Sequence, residues 1–124
     1  YEVEADIELG EGAEAGVLLF YSPKLYCGLG FTESGLVMHR VATQRRNAPP
    51  KDFGKRLQIK LQNDRHIVTS WTRTPGAKWT QYGVRFETSG YNHNTAWDFL
   101  SLRPALYCSG KDSALIRSVT YRAL

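Results

Sequence analysis

YEVEADIEL, residues 1–9, alternates apolar and acidic side chains without a break. Val3, Ala5, Ile7 and Leu9 fall on one face, and Glu2, Glu4, Asp6 and Glu8 on the other. A repeat of two marks a half-buried β-strand, because successive Cβ atoms of an extended chain point to opposite sides. Four acids on one face repel one another, so that face is expected to be solvated.

Working outward, GEGAEAG (Gly10–Gly16) reads as the turn closing this strand. VLLFYS (Val17–Ser22) is a second strand, too short and too apolar for an amphipathic helix. Pro23-Lys24 reverses the chain into LYCGLGF (Leu25–Phe31), and a turn at Glu33-Ser34-Gly35 leads to LVMHRV (Leu36–Val41). ATQRRNAPPKDFG (Ala42–Gly54) has no periodicity and a proline pair, and is expected to be a long exposed loop. RLQIKLQ (Arg56–Gln62) turns Leu57, Ile59 and Leu61 inward, with a tight turn expected at Asn63-Asp64. HIVTSWTR (His66–Arg73) follows, with Ile67 or Val68 inward. TPGAK (Thr74–Lys78) turns into WTQYGV (Trp79–Val84), and Asp98–Cys108 and Ala114–Arg122 finish the chain. About nine strands at short spacing, with turn signals between them and no helix, predict an all-β antiparallel sandwich. Residues 1–124 form one domain, and Tyr1 already lies within a strand pattern, so the sandwich is expected to be truncated on its N-terminal side.

Composition narrows the function. The chain is 42% hydrophobic, ordinary for a soluble fold, and no apolar run approaches the ~20 residues of a membrane-spanning helix. The net charge of +4 would suit a polyanion, but the basic residues are scattered and only Arg45-Arg46 is dense. Nucleic-acid recognition needs a contiguous basic face, so neither nucleic acid nor membrane is an expected partner. The two cysteines, Cys27 and Cys108, have no zinc spacing and bond only if their strands are neighbours. His39, His66 and His93 form no HxH or HxxxH pair, and no metal site is expected. Asp98 has Arg85 or Arg103 as an alternative partner, and no GxSxG, phosphate loop or Cys–His arrangement appears. No catalytic residue is assigned.

Aromatic residues carry the stronger signal: three Trp, seven Tyr and five Phe. A sugar ring stacks its C–H face on an aromatic plane, while its hydroxyls seek planar donors and acceptors. SGYNHNTAW supplies both kinds through Tyr91, Asn92, His93, Asn94 and Trp97. Trp79 is expected in the core as a hairpin anchor, and Trp71 fits a core or a binding role equally.

AGVLLFYSPKLYCGLGF, NDRHIVTSWTRTPGAKWTQYG, SGYNHNTAWDFLSLRPALY and IRSVTYRAL, in that order, resemble the C-terminal sandwich of glycoside hydrolase family 43 β-xylosidases and α-L-arabinofuranosidases. That domain is concanavalin A-like, a jelly roll, and one branch is classed as carbohydrate-binding module family 91, associated with xylan. The chain departs from the pattern in having fewer strands before Tyr1, in the turn Arg73-Thr74-Pro75-Gly76, and in the bulkier Ala96-Trp97-Asp98. The family's catalytic carboxylates lie in a separate propeller, so the resemblance implies an accessory domain that is not itself an enzyme. It implies xylan or xylooligosaccharide binding by Tyr91, Trp97 or Trp71, with Asn92, His93, Asn94 and Arg40 holding hydroxyls. The alternative is a structural domain docked on the parent enzyme's catalytic domain, whose active site it shapes. A small stand-alone glycan-active enzyme is the third reading. No cofactor is implied beyond a structural calcium, for which no oxygen-rich loop is present. An open edge strand would favour self-association, and a secreted or periplasmic location would follow the parent enzyme.

Overall fold

A computed structural model describes residues 1–40, 43–45, 54–88 and 103–123. Among them are eleven strands and no helix. They are β1 (Glu2–Leu9), β2 (Ala13–Ser22), β3 (Leu25–Thr32), β4 (Gly35–Arg40), β5 (Thr43–Arg45), β6 (Arg56–Asp64), β7 (Ile67–Arg73), β8 (Thr80–Gln81), β9 (Phe86–Glu87), β10 (Arg103–Gly110) and β11 (Ala114–Arg122). One sheet runs β11-β1-β6-β7-β8, with β9 also on β7, and the other runs β10-β2-β3-β4-β5. Every pairing is antiparallel. The two sheets, here the first and the second, form the expected all-β sandwich.

The alternation in the sequence becomes the core. Val3, Ala5, Ile7 and Leu9 of β1 and Leu57, Ile59 and Leu61 of β6 are buried against Val17, Leu19, Cys27, Leu29 and Phe31 of the second sheet. Val68, not Ile67, points inward: Val68 is fully buried and Ile67 is 39% exposed. The acidic face of β1 is not simply solvated. β1 is a central strand, and its acids meet arginines of both neighbours. Arg56 grips Asp6 through both carboxylate oxygens at 3.0 and 2.8 Å. Arg122 reaches Glu2 at 2.5 Å and Glu4 at 3.3 Å, and Arg117 reaches Glu8 at 3.0 Å.

Several boundaries differ from the sequence reading. The first turn is only Gly10–Gly12, because Ala13 and Ala15 are small enough to enter the core as part of β2. Asn63 and Asp64 stay in β6, and the tight turn is Arg65-His66, both at positive φ (50° and 70°). Two left-handed residues between paired Asp64 and Ile67 match the right-handed twist of a hairpin. Thr43–Arg45, expected within a loop, forms a short strand on β4. The segment expected as one strand from Trp79 to Val84 is shorter, Thr80–Gln81, with Phe86–Glu87 following separately.

Cys27 and Cys108 form no disulfide. Their strands, β3 and β10, flank β2 on opposite sides, so about 9–10 Å of sheet separates them, beyond disulfide reach.

Candidate functional site

The outer face of the second sheet is closed by a polar cluster. Tyr107 of β10 sits opposite Gly16 and lies across β2 and β3 toward β4. Its hydroxyl donates to Glu14 Oε2 at 2.8 Å and lies 2.8 Å from His39 Nε2. The His39 ring meets the Tyr107 ring edge-on at 4.9 Å and the Tyr26 ring at 6.0 Å. Two glycines make this path possible: a Cβ at Gly16 or Gly30 would run into the Tyr107 side chain. Glu14 and His39 are buried, at 6% and 2% exposure. The cluster joins three strands, and beside it the half-exposed Phe20 and Tyr26 rings stack at 5.9 Å.

The outer face of the first sheet is different. β6 turns Arg56, Gln58, Lys60 and Gln62 outward, and β7 turns out Trp71 and Arg73. One step beyond the Thr72–Thr80 pair, Trp79 stands across the hairpin from Arg73. Trp79 therefore anchors the hairpin from the outer face, half-buried, and not from the core. A continuous relay crosses this face. Gln58 donates to Asp6 at 3.1 Å and accepts from Arg73 Nε at 2.5 Å. The Arg73 guanidinium lies 4.2 Å from the Trp79 ring centre. Lys60 Nζ lies 4.6 Å from that ring and 5.1 Å from the Trp71 ring. Beside the relay is a polar depression of about 150 Å³, lined by Glu4, Asp6, Gln58, Arg73, Ser118 and Thr120. The hydrogen bonds from Arg56, aided by the one from Gln58, outweigh burial and hold the Asp6 carboxyl below its ordinary pKa.

A larger cleft of about 430 Å³ opens beside Leu36, Tyr82 and Val84. Burial there pushes the Tyr82 phenol up. A third opening, about 300 Å³, lies where β10 and β11 are the edge strands of the two sheets among the described residues. It is lined by Val3, Val17, Pro104, Leu106 and Val119. Leu106, Val119 and Tyr121 are 43%, 49% and 59% exposed, although their strand register turns them toward the interior.

Of the residues singled out from sequence, Trp71 lies half-buried on the outer face of the first sheet. Arg40 lies exposed at the end of β4 in the other sheet, so these two do not line one site. Tyr91, Asn92, His93, Asn94 and Trp97 lie outside the described residues. His39 belongs to the buried cluster, and His66 sits in the β6–β7 turn. Among the described residues no group of three or more His, Cys, Asp or Glu side chains is placed to hold a metal ion. The sequence reading passed over Gln58, Lys60 and Arg73. For Gln58 and Lys60 the signal was the alternation of RLQIKLQ, which sends the polar residues of that stretch to the side shared with Trp71 and Arg73 once Val68 is placed inward.

Among the described residues, these features define a two-sheet antiparallel sandwich with a buried polar cluster on one outer face and a polar–aromatic relay on the other. The same fold recurs in solved structures. The GH43 BlXynB protein of Bacillus licheniformis superposes with a TM-score of 0.66 at 16% identity, over 91% of this chain and 25% of that one. The xylan β-1,4-xylosidase of Bacillus halodurans C-125 gives 0.70 at 17% identity, over 88% and 24%. A bifunctional GH43-CE protein of Bacteroides eggerthii gives 0.67 at 15%, over 98% and 18%. The chain thus spans about a quarter or less of the length of these proteins, and the likeness is one of fold. No family model matches the sequence, and no curated protein does.

Proposed function

We propose that this chain is a non-catalytic xylan-binding module of a xylan-degrading enzyme, with the outer face of the first sheet as its platform. One observation carries the reading. Trp71 and Trp79 are half-exposed on an open sheet face that also carries three planar amides, Gln58, Gln62 and Gln81. Indole edges and planes suit the C–H face of a xylose ring, and amides both donate to and accept from its hydroxyls. The fold likeness to part of xylan-active proteins supports the same context. Calorimetric titration of the chain with xylohexaose and cellohexaose tests it. Binding selective for xylohexaose, weakened about tenfold or more by Trp71→Ala, is the expected result, since tenfold is about 1.4 kcal/mol. Binding lost in Trp97→Ala but kept in Trp71→Ala would move the site to residues 91–97. No heat with either sugar from a folded chain would reject the module.

A second reading, an accessory domain docked on the parent's catalytic domain, is favoured by the open edge. Interior-facing Leu106, Val119 and Tyr121 reach solvent there, beside Val3 and Val17 of the core. An exposed apolar opening of this kind marks a surface that another polypeptide covers. Both roles fit one molecule, because the edge and the platform involve different residues.

A further inference from the structure

Charge on the platform is unevenly balanced. The four acids of β1 are all taken by Arg56, Arg117 and Arg122. Lys60 stands opposite Glu4 in the strand register, but Glu4 turns to Arg122, and Lys60 Nζ extends the other way over Trp71 and Trp79. Arg73 spends its Nε on the Gln58 carbonyl. Neither Lys60 nor Arg73 has a carboxylate partner among the described residues, and both cations sit on the ring of Trp79. They lie 4.6 and 4.2 Å from its centre. A carboxylate seated beside that ring can accept charge-assisted hydrogen bonds from Nζ and from the guanidinium.

We infer that the Lys60–Arg73–Trp79 corner is a subsite for a carboxylate-bearing sugar, so that the module prefers xylan decorated with uronic acid over the neutral chain. This rests on the glycan-binding reading above and names the class of glycan. The tryptophans and glutamines hold the backbone, and the two cations hold the acidic branch. A simple basic patch would take any polyanion, whereas this corner combines charge with a stacking plane and planar amides.

The test is titration of the folded chain with three probes: a xylooligosaccharide carrying one glucuronic acid branch, the same backbone unbranched, and poly-glutamate. At low salt the branched sugar should bind about tenfold tighter than the unbranched one. That advantage should shrink at high salt, because charges at a surface are screened. Lys60→Met keeps an unbranched apolar stem on the tryptophans and should bring the affinity ratio toward one, as should Arg73→Gln. Equal affinity for the two sugars, or equal binding of poly-glutamate, overturns the inference while leaving the neutral-xylan reading standing. Failure of both sugars to bind, with the fold verified by circular dichroism, overturns both.

Discussion

Gly30→Ala is the sharpest probe of how the second sheet is held together. A Cβ there would overlap the Tyr107 hydroxyl, stand 2.7 Å from Tyr107 Cζ and 2.8 Å from the Ala15 carbonyl oxygen. The Ala15 carbonyl is backbone and cannot swing away, so the phenol must move. Moving it breaks the hydrogen bond to the Glu14 carboxylate and the one to His39, each 2.8 Å long. A bond to a charged group is worth about 1.5–3 kcal/mol and a neutral one about 0.5–1 kcal/mol, so the loss is about 2–4 kcal/mol. At roughly 4 °C per kcal/mol for a domain of this size, Tm should fall by about 8–16 °C. Urea denaturation of the wild type, Gly30→Ala, Tyr107→Ala and the double variant forms a thermodynamic cycle. With Tyr107 gone, Gly30→Ala should cost only what the Ala15 contact imposes, giving a coupling of at least about 1 kcal/mol. Strict additivity of the two substitutions would refute the glycine floor as the seat of Tyr107.

Acid should destabilise the protein through Asp6. Its folded pKa lies below the ordinary value, so the stability it contributes is complete above about pH 4 and is lost as pH falls through the folded value. Asp6→Asn should flatten that limb of a Tm–pH curve. At the alkaline end burial raises the Tyr1 and Tyr82 phenols, so their contribution is complete below about pH 10 and is lost as pH rises through the folded values. Replacing Val119 with lysine points a charge inward from the free edge of β11 and should suppress strand-to-strand self-association in sedimentation velocity. Cys108 should react with a thiol reagent in the native state, while buried Cys27 reacts only on unfolding.

The strands were legible where their periodicity was clean. YEVEADIEL and RLQIKLQ gave both the strand and its buried face, because period two leaves only one way to hide Val3, Ile7, Leu57 and Ile59. What failed was long-range. Nothing within β1 says that arginines fifty or more residues away, Arg56 and Arg122, will stand beside its acids; that follows from β1 being central. Trp79 was placed in the core because a tryptophan after a turn is commonly an anchor. The hairpin register puts it on the outer side with Arg73 instead. The turn signal at Asn63-Asp64 also misled, since the left-handed residues are the less expected Arg65 and His66. The candidate platform was the least legible part. Lys60 and Trp71 lie eleven positions apart and meet only through the β6–β7 register.

The two outer faces explain each other. A sandwich this small has one core and two surfaces on which to place chemistry. On the second sheet, glycines at 16 and 30 let an aromatic lie flat against the backbone, and its hydroxyl ties three strands together through Glu14 and His39. That arrangement commits the Tyr107 hydroxyl to holding the sheet together. On the first sheet, β1 brings four acids, and its neighbours bring three arginines that pair with them and tie β11, β1 and β6 together. Lys60 and Arg73 fall on the other side, beside β7 and the hairpin, where no acid follows Trp71 until Glu87. Each of these cations rests on an indole, a contact worth about 0.5–1 kcal/mol at exposed sites. That is weak enough for a sugar carboxylate to compete for Lys60 and Arg73, and the tryptophan planes they release are then available to the rest of the glycan.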